Sequence, residues 1–179
     1  MLAARGYDTD NITENVINGN DQVLIFHEKK DPSSIIYVFH PEVSTKIGVY
    51  IIKQYIKEMR ATEVNRAIVI VKDAVTAFAK QIFKDAAIDD EYPVFIECFK
   101  ENEFLIDKPM HILVPKHEII SEDEKKEVLE YYRITGNQMP KILSTDPIAR
   151  YYRSTKGQVF KITRYSETCG ETIYYRITV

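Results

Sequence analysis

The chain has 179 residues, 45% of them hydrophobic and 28% charged, with a formal net charge of −3. That content can fill one large core or two small ones, and the balance excludes a free-standing nucleic-acid binder with a basic overall charge. Two cysteines, Cys98 and Cys169, cannot build a disulfide framework or a zinc site by themselves, which points to a reducing compartment. No signal-peptide pattern is visible, and no apolar run approaches the roughly 18 residues that span a bilayer, so a soluble intracellular protein is expected.

Charge is unevenly spread. Residues 1–110 carry 13 Lys and Arg against 18 Asp and Glu, whereas residues 111–179 carry 11 against 9. Any contact with nucleic acid is therefore expected to be local, with affinity supplied by a larger assembly.

The first part reads as alternating strands and helices. Gln22–His27 and Ile35–Phe39 are short apolar runs joined by Lys-Lys-Asp-Pro, which predicts a hairpin. Over Lys46–Met59, Ile47, Ile51, Tyr55 and Met59 recur every four residues beside Ile52 and Ile56, while Lys46, Lys53, Lys57 and Glu58 fall largely opposite; this is a helix period. Ala67–Val71 is apolar throughout, as in a strand buried on both faces. A helix over Thr76–Ala87 is predicted to turn Phe78, Ile82, Phe83 and Ala86 to one side, and Val94–Phe99 reads as the next strand. The order β-β-α-β-α-β predicts helices packed on a mixed sheet through right-handed crossovers.

A proline-bearing stretch from Asp107-Lys108-Pro109 to Leu113-Val114-Pro115 marks a change of domain, dividing 1–108 from 109–179. Ser121 and Glu124 form a capping-box pattern opening a helix to about Arg133, with Val128, Leu129 and Tyr132 inward. Asp146 and Pro147 suit the N-cap and first turn of a second short helix carrying Ile148, Ala149 and Tyr152. After a turn at Lys156-Gly157, Gln158–Tyr165 and Thr172–Val179 are predicted to pair as a hairpin around Glu167–Gly170. In its second strand Ile173, Tyr175, Ile177 and Val179 alternate with Thr172, Tyr174, Arg176 and Thr178, which predicts one buried and one polar face. The fold class is thus α/β (α+β) in two domains, the second with two helices and a small mixed sheet ending in a hairpin.

Enzymatic signatures are sparse. Glu28-Lys29-Lys30 has the acidic-x-Lys form of a class of metal-dependent nucleases, which need a second acidic residue beside it. Asp21 falls at the opposite end of the same strand, about 20 Å away by strand rise. His111 and His117, six apart around a proline, lack a nearby cysteine or suitably spaced acid and read as structural or solvated, as do His27 and His40. No catalytic residue, metal ligand, cofactor or small-molecule substrate is assigned.

The C-terminal third holds the most specific motifs: Gln-Met-Pro-Lys-Ile at 138–142, Asp-Pro-Ile-Ala-Arg-Tyr-Tyr at 146–152, Lys-Gly-Gln-Val at 156–159, Arg-Tyr-Ser-Glu-Thr at 164–168 and Tyr-Tyr-Arg at 174–176. This run closely resembles the assembly half of the fifth subunit shared by the eukaryotic nuclear RNA polymerases, a half that archaeal polymerases carry alone as a small separate subunit. The resemblance extends upstream through His111-x-Leu-Val-Pro-x-His117, Arg66-Ala-Ile-Val-Ile-Val71, Tyr37-Val-Phe-His-Pro-Glu42 and Arg5-Gly6-Tyr7. Thr76-Ala-Phe-Ala-Lys80 stands where that family usually has Thr-Pro-x-Ala-Lys. Alanine replaces the usual proline at 77, Arg153 a common glycine and Tyr165 a common proline, and the family's first helix is cut to a few residues.

The resemblance implies a non-catalytic, nuclear polymerase subunit without a membrane partner. Its first domain would have a nuclease-like fold and form part of the lower jaw around downstream duplex DNA. Its second would dock on the largest subunit. Thr76, Ala77 and Lys80 are the implied DNA contact: a helix start offers hydroxyl and N–H donors to phosphate, and Lys80 adds a charge one turn on. The same residues also fit an ordinary capped helix with a solvated lysine. Arg150, Tyr151, Arg164, Ser166, Glu167, Thr168, Tyr175 and Arg176 are the implied subunit interface, arginine and tyrosine being favoured there. An internal role is equally open, with Glu167 pairing Arg164 or Arg176 across the hairpin to fix its register. A metal-dependent nuclease and a free adaptor for transcription regulators are the alternatives.

Overall fold

The computed structural model describes residues 1–17, 21–29, 34–41, 47–73, 75–89 and 92–179, with only backbone described for 15–17, 21 and 22. The chain is a mixed α/β protein whose backbone divides into two compact units, residues 2–105 and residues 106–179.

The 2–105 unit is built on a five-stranded sheet in the order β1-β2-β3-β4-β5: β1 Thr13–Ile17, β2 Asp21–His27, β3 Ile35–His40, β4 Arg66–Val71 and β5 Phe95–Lys100. β1, β2 and β3 pair antiparallel, and β3, β4 and β5 run parallel. Four of these strands match the expected apolar runs to within a residue or two. β1 does not, and the order becomes β-β-β-α-β-α-β. Its sequence Thr-Glu-Asn-Val-Ile lacks an alternating pattern, so pairing with the exposed edge of β2 rather than propensity makes it a strand. Of the Lys-Lys-Asp-Pro turn, Lys30, Asp31 and Pro32 lie outside the described residues.

Two helices, α1 Val49–Ala61 and α2 Ala77–Ala87, follow β3 and β4 and pack on the sheet face presenting Tyr37, Phe39, Ala67 and Val69. α1 starts three residues later than the apolar period suggests. Gly48 is its extended N-cap, and Ile47, though buried, sits before the helix in a bridge to Val75. Ile52, Tyr55, Ile56 and Met59 form its buried face, with the Tyr55 ring stacked on Phe39 at 4.2 Å between centroids. In α2 the inward stripe is Ala79, Ile82, Phe83 and Ala86. Phe78, expected on that stripe, is 80% exposed. At about 100° per residue it lies roughly 90° from the stripe's centre, outside the arc that reaches the sheet.

The opposite face of the sheet is covered by the short N-terminal segment. Its 3-10 turn Ala3–Arg5 ends at Gly6, whose φ of 91° is the left-handed cap that glycine adopts freely. Tyr7 is buried and its hydroxyl accepts from Arg66 at 3.3 Å. Arg5 is 3% exposed, meets Glu97 at 2.7 Å and lies over the Phe99 ring at 5.9 Å.

The 106–179 unit holds a four-stranded sheet in the order β6-β8-β9-β7, comprising β6 Lys116–Ile119, β7 Lys141–Ile142, β8 Val159–Ser166 and β9 Gly170–Thr178. The expected β8–β9 hairpin forms, with Phe160 facing Arg176 and Ser166 facing Gly170. The short strands β6 and β7 are additions, too brief to carry a period of their own. Helix α3, Glu122–Tyr132, begins with the expected capping box: Glu124 N–H donates to the Ser121 hydroxyl, and Ser121 N–H donates to the Glu124 carboxylate. Helix α4, Pro147–Tyr151, is capped by the Asp146 carboxylate, which accepts from Ile148 N–H at 2.8 Å.

α4 packs on the sheet face that carries Ile119, Ile142, Phe160 and Ile162. α3 meets the other face, where Tyr132 contacts Tyr175 at 6.2 Å between ring centroids. Because both faces are partly covered, the expected division of β9 into buried and polar faces fails. Thr178 is buried, its hydroxyl paired with that of Ser154, and Ile173 is exposed near the hairpin tip. Tyr132 is likewise half out of the core, while Val128 and Leu129 are half-buried.

Arg153 has φ 54°, a left-handed conformation that costs a non-glycine residue about 1 kcal/mol. Arg153→Gly is therefore expected to exceed Arg153→Ala in stability by about 1 kcal/mol, as read from chemical denaturation midpoints. Comparing these two variants cancels loss of the arginine side chain.

Candidate nucleic-acid and subunit interfaces

The Thr76–Lys80 segment forms where β4 ends and α2 begins. Thr76 is extended, with φ −63° and ψ 153°, and its hydroxyl accepts from Ala79 N–H at 3.3 Å. Having accepted, that hydroxyl keeps its own proton to donate outward. Ala77 is the first helical residue, where an N–H has no acceptor within the helix, and Lys80 is exposed one turn on. The conformation of Thr76 is the one a following proline would impose. Loss of that proline therefore leaves the helix start in place and adds one backbone donor at Ala77.

The eight residues expected at a subunit interface occupy four places in the 106–179 unit. Arg164, Ser166, Glu167 and Thr168 gather at the hairpin tip, beyond the stretches of β8 and β9 that β6 and β7 pair. There Ser166 and Thr168 hydroxyls are 3.2 Å apart. Arg176 shares a sheet face with Arg164, four residues along or roughly 13 Å away, and donates to the Lys141 carbonyl at 3.3 Å. Arg150 and Tyr151 end α4, Tyr151 lying edge-on to Tyr152. Tyr175 points to the opposite face, against α3. Among the described residues Glu167 forms no ion pair with Arg164 or Arg176, so the hairpin's register rests on its backbone ladder.

The same unit also exposes large apolar side chains that none of the motifs marks. Tyr165, Ile173 and Tyr174 of the hairpin, with Tyr131, Leu143, Met110, Ile112 and Leu113, are all exposed. Tyrosine density is their signal in the sequence, but strand alternation places Ile173 inward. Near α4, burial raises the Tyr152 hydroxyl above its usual pKa, and the carboxylates of Asp107 and Glu118 add to the shift against Lys116. Tyr152 therefore stays neutral and packs its ring on Phe160.

The nuclease pattern gains no support from geometry. Glu28 follows β2 and bridges to Tyr7, Asp21 opens the same strand at its far end, and Lys30 lies outside the described residues. Among the described residues no three His, Cys, Asp or Glu converge as metal ligands, and no helix is long and apolar enough to cross a membrane.

Residues 106–178 match the family model described as RNA polymerase Rpb5, C-terminal domain. The chain is 39% identical over 173 residues to the Dictyostelium discoideum protein named DNA-directed RNA polymerases I, II, and III subunit rpabc1, covering 97% of this chain and 86% of that one. The chain belongs to this Rpb5 family. The Caenorhabditis elegans protein named as the same subunit is 37% identical over 89% of this chain and 74% of its own length. An Arabidopsis thaliana protein named DNA-directed RNA polymerase subunit 5-like protein 1 is 36% identical, covering 93% of this chain and 78% of its own. The Rpb5 family match thus takes in the hairpin, α3 and α4, and similarity to the full-length relatives reaches across the helix start at Thr76 as well.

Proposed function

We propose that this chain is a non-catalytic subunit of DNA-dependent RNA polymerase, shared between the nuclear polymerases and acting in the nucleus. The observation that carries this reading is the 39% identity across nearly the whole chain to a subunit named for polymerases I, II and III. Its role is positional. Residues 1–108 act as a jaw domain that brings the hydroxyl of Thr76, the N–H of Ala77 and the ammonium of Lys80 to the backbone of downstream duplex DNA. Residues 109–179 act as an assembly domain that docks on the largest subunit through Arg150, Tyr151, Arg164, Ser166, Glu167, Thr168, Tyr175 and Arg176. Phosphate contacts of this kind set position without reading sequence.

Lys80→Ala tests the DNA side. Incorporation into polymerase is expected to be unchanged, because Lys80 is exposed on the 2–105 unit. Dissociation of assembled elongation complexes across a salt series should change slope by about 0.9, the contribution of one phosphate contact on B-DNA. The effect should be shared by all templates, and the free chain should bind DNA poorly given the acidic excess of residues 1–110. An unchanged slope removes Lys80 from the contact; tight binding by the free chain overturns the assembly-dependent account.

A further inference from the structure

Tyr50 and Phe78 occupy equivalent places on two neighbouring helices. Ile47 and Val75 pair as a parallel bridge, each is followed by a helix N-cap, Gly48 or Thr76, and the second helical residue after each cap is aromatic. Both rings are turned outward, Tyr50 74% and Phe78 80% exposed, whereas Tyr55 of α1 and Phe83 of α2 pack in the core. The bridge places the two helix starts side by side along the edge where β3 and β4 end.

The surroundings select an anionic partner. Residues 1–110 are acidic overall, yet α1 and α2 carry Lys53, Lys57, Arg60, Lys80 and Lys84 against only Glu58 and Asp85. Arg60 is engaged by Asp89, and the four lysines are exposed. A local basic surface in an acidic half is what a phosphate backbone recognises. Tyr50 shares an exposed flank of α1 with Lys53 and Lys57, and Phe78 stands at the matching place on α2, so exposed rings and lysines alternate along these helices as sugars and phosphates do along a strand.

We propose that Tyr50 and Phe78 are contact residues for duplex DNA, packing on deoxyribose at the groove edge while the lysines face phosphate. This extends the Thr76–Lys80 contact across to α1 and rests on the jaw reading above. It adds a component of grip that does not depend on counterion release, because ring packing displaces no condensed ions.

The test uses assembled elongation complexes carrying Tyr50→Ser and Phe78→Ser together, set beside Lys80→Ala. The double variant is expected to release DNA about tenfold faster at every salt concentration with the salt slope unchanged. Tyr50→Phe and Phe78→Tyr should both retain the parent rate. Because both rings are exposed, the melting temperature of the free chain should not move, and Phe78→Ser alone should give a smaller effect in the same direction. A parental release rate in the double variant, with the Lys80→Ala slope altered, overturns this proposal alone. If neither variant differs from the parent, the DNA reading of the whole edge falls. Parental DNA release with loss of a co-purifying protein would assign the rings to a protein partner instead, and also overturns the proposal.

Discussion

Arg5→Ala is expected to destabilise the 2–105 unit by about 2–3 kcal/mol, lowering its melting temperature by roughly 10–20 °C. The Arg5 side chain is 3% exposed and pairs with Glu97 of β5, so its removal takes the guanidinium away from that carboxylate. Breaking a fully buried pair this way costs about 3–5 kcal/mol, and the 27% exposure of Glu97 lets water recover part of it. The aliphatic stem and guanidinium also pack over Phe99, and that contact is lost as well. Arg5→Met with Glu97→Gln should restore most of the stability, since it keeps volume and removes both charges of the pair. Differential scanning calorimetry supplies a second readout. If 1–108 and 109–179 are separate domains, the transition of the second should stay where it is in the parent. A single transition that shifts as a whole would sink the division, and an unshifted profile would show that Arg5 contributes little.

Much of this architecture is legible in the sequence because its signals are local. Ala67–Val71 reads as a doubly covered strand since it lies between two parallel neighbours, and the caps at Ser121 and Asp146 work through side chains within three residues. What stays hidden depends on distant partners. β1 has no period of its own and exists through the edge of β2. Thr178 looks like a solvent residue until Ser154 supplies its hydrogen bond from 24 residues away. Phe78 reads as inward because a one-residue rotation about a helix axis is within the tolerance of any apolar stripe. Of the candidate site residues, those on the hairpin tip are neighbours by register alone, whereas the placement of Tyr175 on the opposite face follows from strand alternation. The internal role for Glu167 requires an ion pair that the tip does not form.

Replacing Arg164 and Arg176 together with alanine is expected to reduce incorporation into polymerase by about 30-fold or more while leaving the fold intact. An arginine desolvated at the centre of an interface contributes about 2 kcal/mol or more, whereas a rim arginine contributes little. Both guanidinium groups are exposed in the free chain and lie on one face of β8 and β9, so one flat partner surface can meet both. Their removal costs the isolated chain little: Arg176 has a single 3.3 Å bond to the Lys141 carbonyl, and neither arginine pairs with Glu167. The distinguishing measurement is therefore a pair of readouts on the same variant, its melting temperature and its yield with the largest subunit after co-purification. A parental melting temperature with lost incorporation assigns the arginines to docking. Parental yield from the double variant removes this face from the interface and shifts attention to the exposed Tyr165, Ile173 and Tyr174 beside it. The expected loss should also be nearly independent of salt, because desolvated charges at an interface centre are screened far less than exposed ones. A loss that appears at low salt and fades as salt rises would place both arginines at the rim.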